Sequence, residues 1–149
     1  MTSILDGNQT VEERVRDLYN ANYTQGRVYP TLAAGVTVAS ANADWTLGTI
    51  TEVIPANTIN SAYHVSLVSI ESCDENAVFE LALYYGAANT LMSTVRFAVN
   101  GGFFGNQLYL VPSVKIPTKA KLSAALASSN GTAAVGTITI SVVYRLLTG

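Results

Sequence analysis

The stretch AVFELALYYGAANTLMSTVRFAV, residues 77–99, decides the fold. From 77 to 85 the chain alternates, with Phe79, Leu81, Leu83 and Tyr85 on one face and Glu80 and Ala82 on the other. From 93 to 99, Val95, Phe97 and Val99 oppose Arg96 in the same manner. Successive side chains of a strand point to opposite faces, so a period of two with one apolar face predicts strands packed on one side only. Between the two runs, GAAN supplies the Gly and Asn that turns favour.

The same period extends in both directions. Toward the C-terminus, QLYLV (107–111) is short and stops at Pro112, and AKLSAALAS (120–128) sets Ala120, Leu122, Ala124 and Leu126 against Lys121 and Ser123. GTITISVVYRLL (136–147) groups Ile138, Ile140, Val142, Tyr144 and Leu146 opposite Thr139, Ser141 and Arg145. Toward the N-terminus, YHVSLVSIES (63–72) and VTVAS (36–40) read as strands. So does DWTLGTITEVI (44–54), where Trp45 and Leu47 are in phase before Gly48 and Ile50 break the alternation, predicting a bulge. About eight short strands with turn residues between them point to an antiparallel β-sandwich, with the jelly roll favoured among sandwich topologies. Asp74, Glu75 and Asn76 are expected to form a hairpin turn, and Asn130-Gly131 predicts a second hairpin between its flanking strands.

Only TVEERVRDLYNA (10–21) has helical character. Thr10 and Glu13 have the spacing of a capping box, and Val11, Val15, Leu18 and Tyr19 form a stripe at helical spacing. A helix of about three turns is marginal in water, so the stripe must pack on its own domain or on a neighbouring subunit. Residues 20–35 mix Asn, Gly and Pro with scattered aromatics and read as an extended arm. The expected organisation is a helix and arm over 1–35 and a β-sandwich over 36–149.

Composition narrows the function. The chain has 149 residues, enough for one well-buried core without metal or disulfide. Charged residues are 12% and the hydrophobic class 49%, a balance that fits a surface partly covered by neighbours or a Thr/Ser/Ala-rich β domain. No apolar run approaches the ~20 residues of a membrane helix. A net charge of −2 argues against nucleic-acid binding, and Lys115, Lys119 and Lys121 read as a solvated strand face. The N-terminus lacks the pattern of a signal peptide, so synthesis in a cytoplasm is expected.

Catalytic chemistry is hard to place. Cys73 is the single cysteine and His64 the single histidine, which excludes an intramolecular disulfide and a multi-histidine metal site. No hydrolase elbow, zincin or Walker motif occurs. The acidic stretch around Glu71, Asp74, Glu75 and Glu80 lacks calcium-loop spacing. GGFFG (101–105) precedes β-type sequence rather than a helix, so it is no phosphate loop. Gly101, Gly102 and Gly105 are expected to supply turn geometry there. Neighbouring residues cannot both enter one core face, so one of Phe103 and Phe104 is a candidate for a subunit interface unless the loop folds back over its own sandwich. No enzyme activity and no cofactor are expected.

SIESCDENAVFELALYYG, RFAVNGGFFGNQLYLVPS and AKLSAALASSNG together resemble small virion proteins of tailed bacteriophages, of the head-decoration (cement) or fibre type. The resemblance covers residues 50–149 and implies a jelly-roll structural protein that assembles on a capsid, often as a trimer. Its implied partners are the major capsid protein or other virion proteins, with neither nucleic acid nor membrane, and its implied location is the virion. Candidate interface residues on this reading are Val11, Val15, Leu18, Tyr19, Phe103 and Phe104, the first four being inferred from the helix stripe alone. The alternative is a glycan- or receptor-binding sandwich of a fibre or tail, with Trp45, Tyr84, Tyr85 and Tyr109 as stacking rings. A cytokine-like trimeric jelly roll is a third reading, weakened by the missing secretion pattern.

Overall fold

The structure, a computed structural model, describes residues 26–103 and 105–147. All regular structure among these residues is strand: β1 (Arg27–Tyr29), β2 (Val36–Ala39), β3 (Thr51–Ile54), β4 (Tyr63–Cys73), β5 (Ala77–Tyr85), β6 (Thr90–Val99), β7 (Gln107–Leu110), β8 (Leu122–Ser128) and β9 (Thr137–Leu146). The expected helix over 10–21 and Phe104 lie outside the described residues.

The strands form two antiparallel sheets. One has the order β1-β9-β4-β7, with β2 also pairing along β9; the other has the order β3-β8-β5-β6. Strands β2 to β9 thus alternate between sheets except at β5–β6, and the two four-strand orders 2-9-4-7 and 3-8-5-6 are those of a jelly roll. The expected sandwich and its favoured topology are both present. Within the stretch read as an arm, Arg27–Tyr29 is a strand of the first sheet, paired with Val142 to Tyr144 of β9.

Residues 77–99 form a hairpin as their pattern requires, with Glu80 opposite Arg96 and Leu81 opposite Val95. The inward faces of both sheets meet in one core. Val65, Val68, Ile70, Ile138, Ile140 and Val142 from one side pack with Phe79, Leu81, Leu83, Phe97, Leu122 and Leu126 from the other. Phe79 and Phe97 stack at 5.3 Å, and Tyr63 meets Tyr144 edge-on at 5.9 Å. Tyr63 also donates to the Ala120 carbonyl at 2.9 Å, so its hydroxyl is satisfied inside the core.

Four sequence expectations are corrected. Asn130-Gly131 does not close a hairpin, because β8 and β9 lie in different sheets and residues 129–136 cross between them. Gly131 is there for room: a Cβ would collide with the Ala43 carbonyl oxygen. Asp74–Asn76 is likewise a crossing from β4 to β5 rather than a hairpin turn. The expected strand over 44–54 is regular only at Thr51–Ile54, and its register shift falls between Glu52 and Ile54, where the adjacent Val53 and Ile54 are both buried. Upstream, the backbone N–H of Trp45 donates to the Ser128 carbonyl at 2.7 Å and that of Gly48 to the Leu126 carbonyl at 2.9 Å, so this segment follows the β8 edge without a regular ladder. Lys119 takes φ +66° in the loop before β8, so the lysines do not form one strand face.

Candidate interaction surfaces

Four of the six connections that cross between sheets, 40–50, 74–76, 100–106 and 129–136, gather at one end and are tied by side-chain caps. Asp44 and Thr132 cap each other's backbone: the Thr132 N–H donates to Asp44 Oδ1 at 2.8 Å and the Asp44 N–H to Thr132 Oγ1 at 3.0 Å. The Thr137 N–H donates to Asp74 Oδ1 at 2.7 Å, Ser128 Oγ to Glu75 Oε1 at 2.7 Å, and the Gly102 N–H to Asn76 Oδ1 at 2.9 Å. Asp74, Glu75 and Asn76 therefore act as loop fasteners, each accepting from a different neighbour. The GGFFG turn belongs to this end, and Gly101, Gly102 and Gly105 take φ of +76°, +99° and +69°, angles that resist a Cβ. Phe103 is half-buried against the core and borders a cleft of about 180 Å³ with Cys73, Glu75, Asn76 and Val99.

Cys73, at the end of β4, lies beside these loops, whereas His64 lies at the opposite end of the same strand. Burial pushes the Cys73 thiol up, and the carboxylates of Asp74 and Glu75 add to the shift, so the sulfur is held as thiol rather than nucleophilic thiolate. Burial lowers the His64 pKa and the neighbouring Arg145 lowers it further, which favours neutral imidazole. Among the described residues, no three His, Cys, Asp or Glu side chains are grouped to hold a metal ion.

The two outward sheet faces differ in what they expose. On the β3-β8-β5-β6 sheet, the outward phase carries Ser123, Ala125, Ala127 and Ala82, all at most 3% exposed. One cross-strand row runs Ala127, Glu80, Arg96. Trp45, anchored beside Ser128, reaches along it, its ring 4.8 Å from the Arg96 guanidinium, which also pairs with Glu80 at 2.8 Å. The small Ala127 leaves room for this reach.

On the other sheet, the outward row is apolar from edge to edge. Register places Val28 opposite Val143, Val143 opposite Leu67, and Leu67 opposite Leu110. Leu110 is 81% exposed, Leu108 62% and Val28 49%. The residues between them in β7 and β4 face the core, where Tyr109 lies 5.7 Å from Phe97. Periodicity could not have singled out this row, because Leu108, Tyr109 and Leu110 are all apolar and either phase of β7 could face inward.

The rings named for the sugar-binding alternative are dispersed. Tyr85 and Tyr109 pack on the core, and the Trp45 ring already holds the Arg96 guanidinium. Of the candidate interface residues, Phe103 alone is among those described; Val11, Val15, Leu18, Tyr19 and Phe104 lie outside them.

No protein-family model matches this sequence, and no curated protein matches it. Among solved structures, the chain is similar to one of infectious bursal disease virus, Gt strain, at 19% identity and a TM-score of 0.42, covering 84% of this chain and 34% of that one. A second, the infectious bursal disease virus VP2 subviral particle, matches at 16% identity and a TM-score of 0.43, covering 84% of this chain and 34% of that chain. The chain thus spans about a third of the length of the viral chains it matches. The fold assignment rests on the strand order itself.

Proposed function

We propose that this protein is a non-enzymatic structural component of a virus particle, and more specifically a decoration subunit that binds a bacteriophage capsid and stabilises it by adding buried interface. The supporting observation is the open apolar row Val28-Val143-Leu67-Leu110 on a rigid jelly roll whose opposite face is closed. Contiguous apolar surface on a well-packed domain marks a place where protein meets protein. The low charge content, 12% of residues, fits the same reading.

On this proposal the partners are the major capsid protein or other virion proteins together with further copies of this chain, a homotrimer being the favoured assembly. The protein is made in the host cytoplasm and resides in the virion. Phe103 and Phe104 then belong to the loop end that approaches a neighbour. The test is co-sedimentation of the full chain with capsids of the encoding virus that lack it, alongside light scattering of the free protein. Saturable binding in multiples of a trimer is expected, with particles that withstand heating better when loaded. Absence of binding would overturn the decoration role, and specific retention on a glycan array would replace it with the fibre or tail reading.

A further inference from the structure

The chain contains two Asn-Gly steps, Asn100-Gly101 and Asn130-Gly131, and both asparagines are exposed. In such a step the backbone nitrogen of the glycine can close on the side-chain amide of the asparagine, because no Cβ hinders the approach. The fold holds the two steps in opposite ways. We propose that Asn100 is a site of spontaneous deamidation in the folded protein, and that Asn130 is protected from it.

The chemistry is an intramolecular acyl transfer. The Gly101 nitrogen gives its proton to base and attacks Asn100 Cγ; the bond from Cγ to the side-chain nitrogen breaks, ammonia leaves, and a succinimide ring joins the two residues. Water then opens the ring at either carbonyl. Opening at the backbone carbonyl leaves an isoaspartyl link, in which the main chain runs through Cβ and Cγ; opening at the side-chain carbonyl leaves Asp. Nothing is oxidised or reduced, and the net exchange is water for ammonia.

Backbone conformation decides which step reacts. Ring closure needs the next nitrogen on the same side as Cβ, an arrangement that extended backbone supplies at ψ of about +120°. In a helical turn, with ψ of about −42°, that nitrogen points away. Asn130 is held in the second state. Its carbonyl accepts from the N–H groups of Ala133 and Ala134, both at 3.1 Å, and its own N–H donates to Ser128 Oγ at 3.1 Å. Gly131 is buried so close to the Ala41 and Ala43 carbonyls that a Cβ would collide with both. The step cannot swing to extended geometry without pulling Gly131 from under residues 41–43.

Asn100 is under no such restraint. It follows Val99, the last residue of β6, so extended backbone is within reach. Gly101 and Gly102 come next with φ of +76° and +99°, and a Cβ on Gly101 would meet nothing within 4 Å. Among the described residues, no hydrogen bond holds the Asn100 side chain or the Gly101 N–H. The first fastening downstream is the Gly102 N–H on Asn76 Oδ1 at 2.9 Å. An isoaspartyl link lengthens the main chain just before that bond, and either product adds a negative charge to the loop that carries Phe103.

The test is incubation of the full chain at mildly alkaline pH, followed by peptide mapping that separates the Asn, Asp and isoaspartyl forms at positions 100 and 130. In the folded protein, position 100 should lose its amide at least about tenfold faster than position 130, with isoaspartate among its products. In urea, where the fold no longer distinguishes the two steps, their rates should converge. Comparable rates in the folded chain, or faster loss at 130, would overturn the proposal. A preference for 100 that persists undiminished in urea would also do so, by assigning the difference to neighbouring side chains. Asp formed at 100 without isoaspartate would rule out the succinimide route. None of these measurements involves capsids, so their outcome is separate from that of the decoration assay.

Discussion

The two outward sheet faces are built from similar strands but are finished differently. On β3-β8-β5-β6 the outward residues of β8 are Ala and Ser, with Ala82 beside them on β5, and the protein spans this surface with its own Trp45, Arg96 and Glu80. On β1-β9-β4-β7 the outward row is Val and Leu, left half or more exposed at both edges. A closed face contributes to the stability of the sandwich, whereas an open one contributes only when something covers it. The contrast separates positions that hold the fold from positions that hold a partner.

The largest expected effect comes from placing a carboxylate on the closed face. Ala125→Glu should destabilise the sandwich by about 3 kcal/mol or more, because Ala125 is fully buried opposite Ala82 and a carboxylate there must give up its water. Urea unfolding of the full chain measures it. A loss below about 1 kcal/mol would show that the face opens readily and would erase the contrast.

Next in size is the alkaline limb of stability, set in the shared core by Tyr63 on β4. Burial raises its pKa well above the usual 10.0, with Tyr144 adding to the shift. The folded state therefore resists losing the proton, and the resulting stability is complete below pH 10 and falls as pH rises beyond it. Tyr63→Phe should flatten that decline while costing about 1 kcal/mol near neutrality for the lost bond to Ala120. A decline that is unchanged in the variant would assign the alkaline sensitivity to other groups.

A smaller term is the coupling between Trp45 and Arg96. A double-mutant cycle with Trp45→Ala and Arg96→Ala should return about 0.5–1 kcal/mol, since both side chains are partly exposed. Zero coupling would mean the closed face owes nothing to that contact. The smallest effect is expected at Leu110→Lys on the open row. With the side chain 81% exposed, unfolding of the sandwich should shift by no more than about 0.5 kcal/mol. A large loss there would show that the row already supports the fold and is not a free surface.

Much of the fold was legible because it rests on local pattern. The period of two in residues 77–99 and 136–147 reports which side chains share a face, and β5 matches its expected bounds residue for residue. The hairpin readings at 74–76 and 130–131 failed for a physical reason. Turn-forming residues specify that the chain reverses, but not whether the next strand joins the same sheet or the opposite one. In a jelly roll most connections cross, and Gly131 answers to a carbonyl of a distant loop rather than to a turn type.

By itself, then, the sequence determined most of the strand content and the inward faces of the long strands. Those are properties of side-chain order along one segment. The tertiary structure decided the strand order, the fastening of the loop end by Asp44, Asp74 and Asn76, and which phase of β7 faces out. Each of these depends on pairing between residues far apart in the chain. Leu110 is exposed because Tyr109 takes the place against Phe97, a choice made by packing between two sheets and invisible in the four residues of β7.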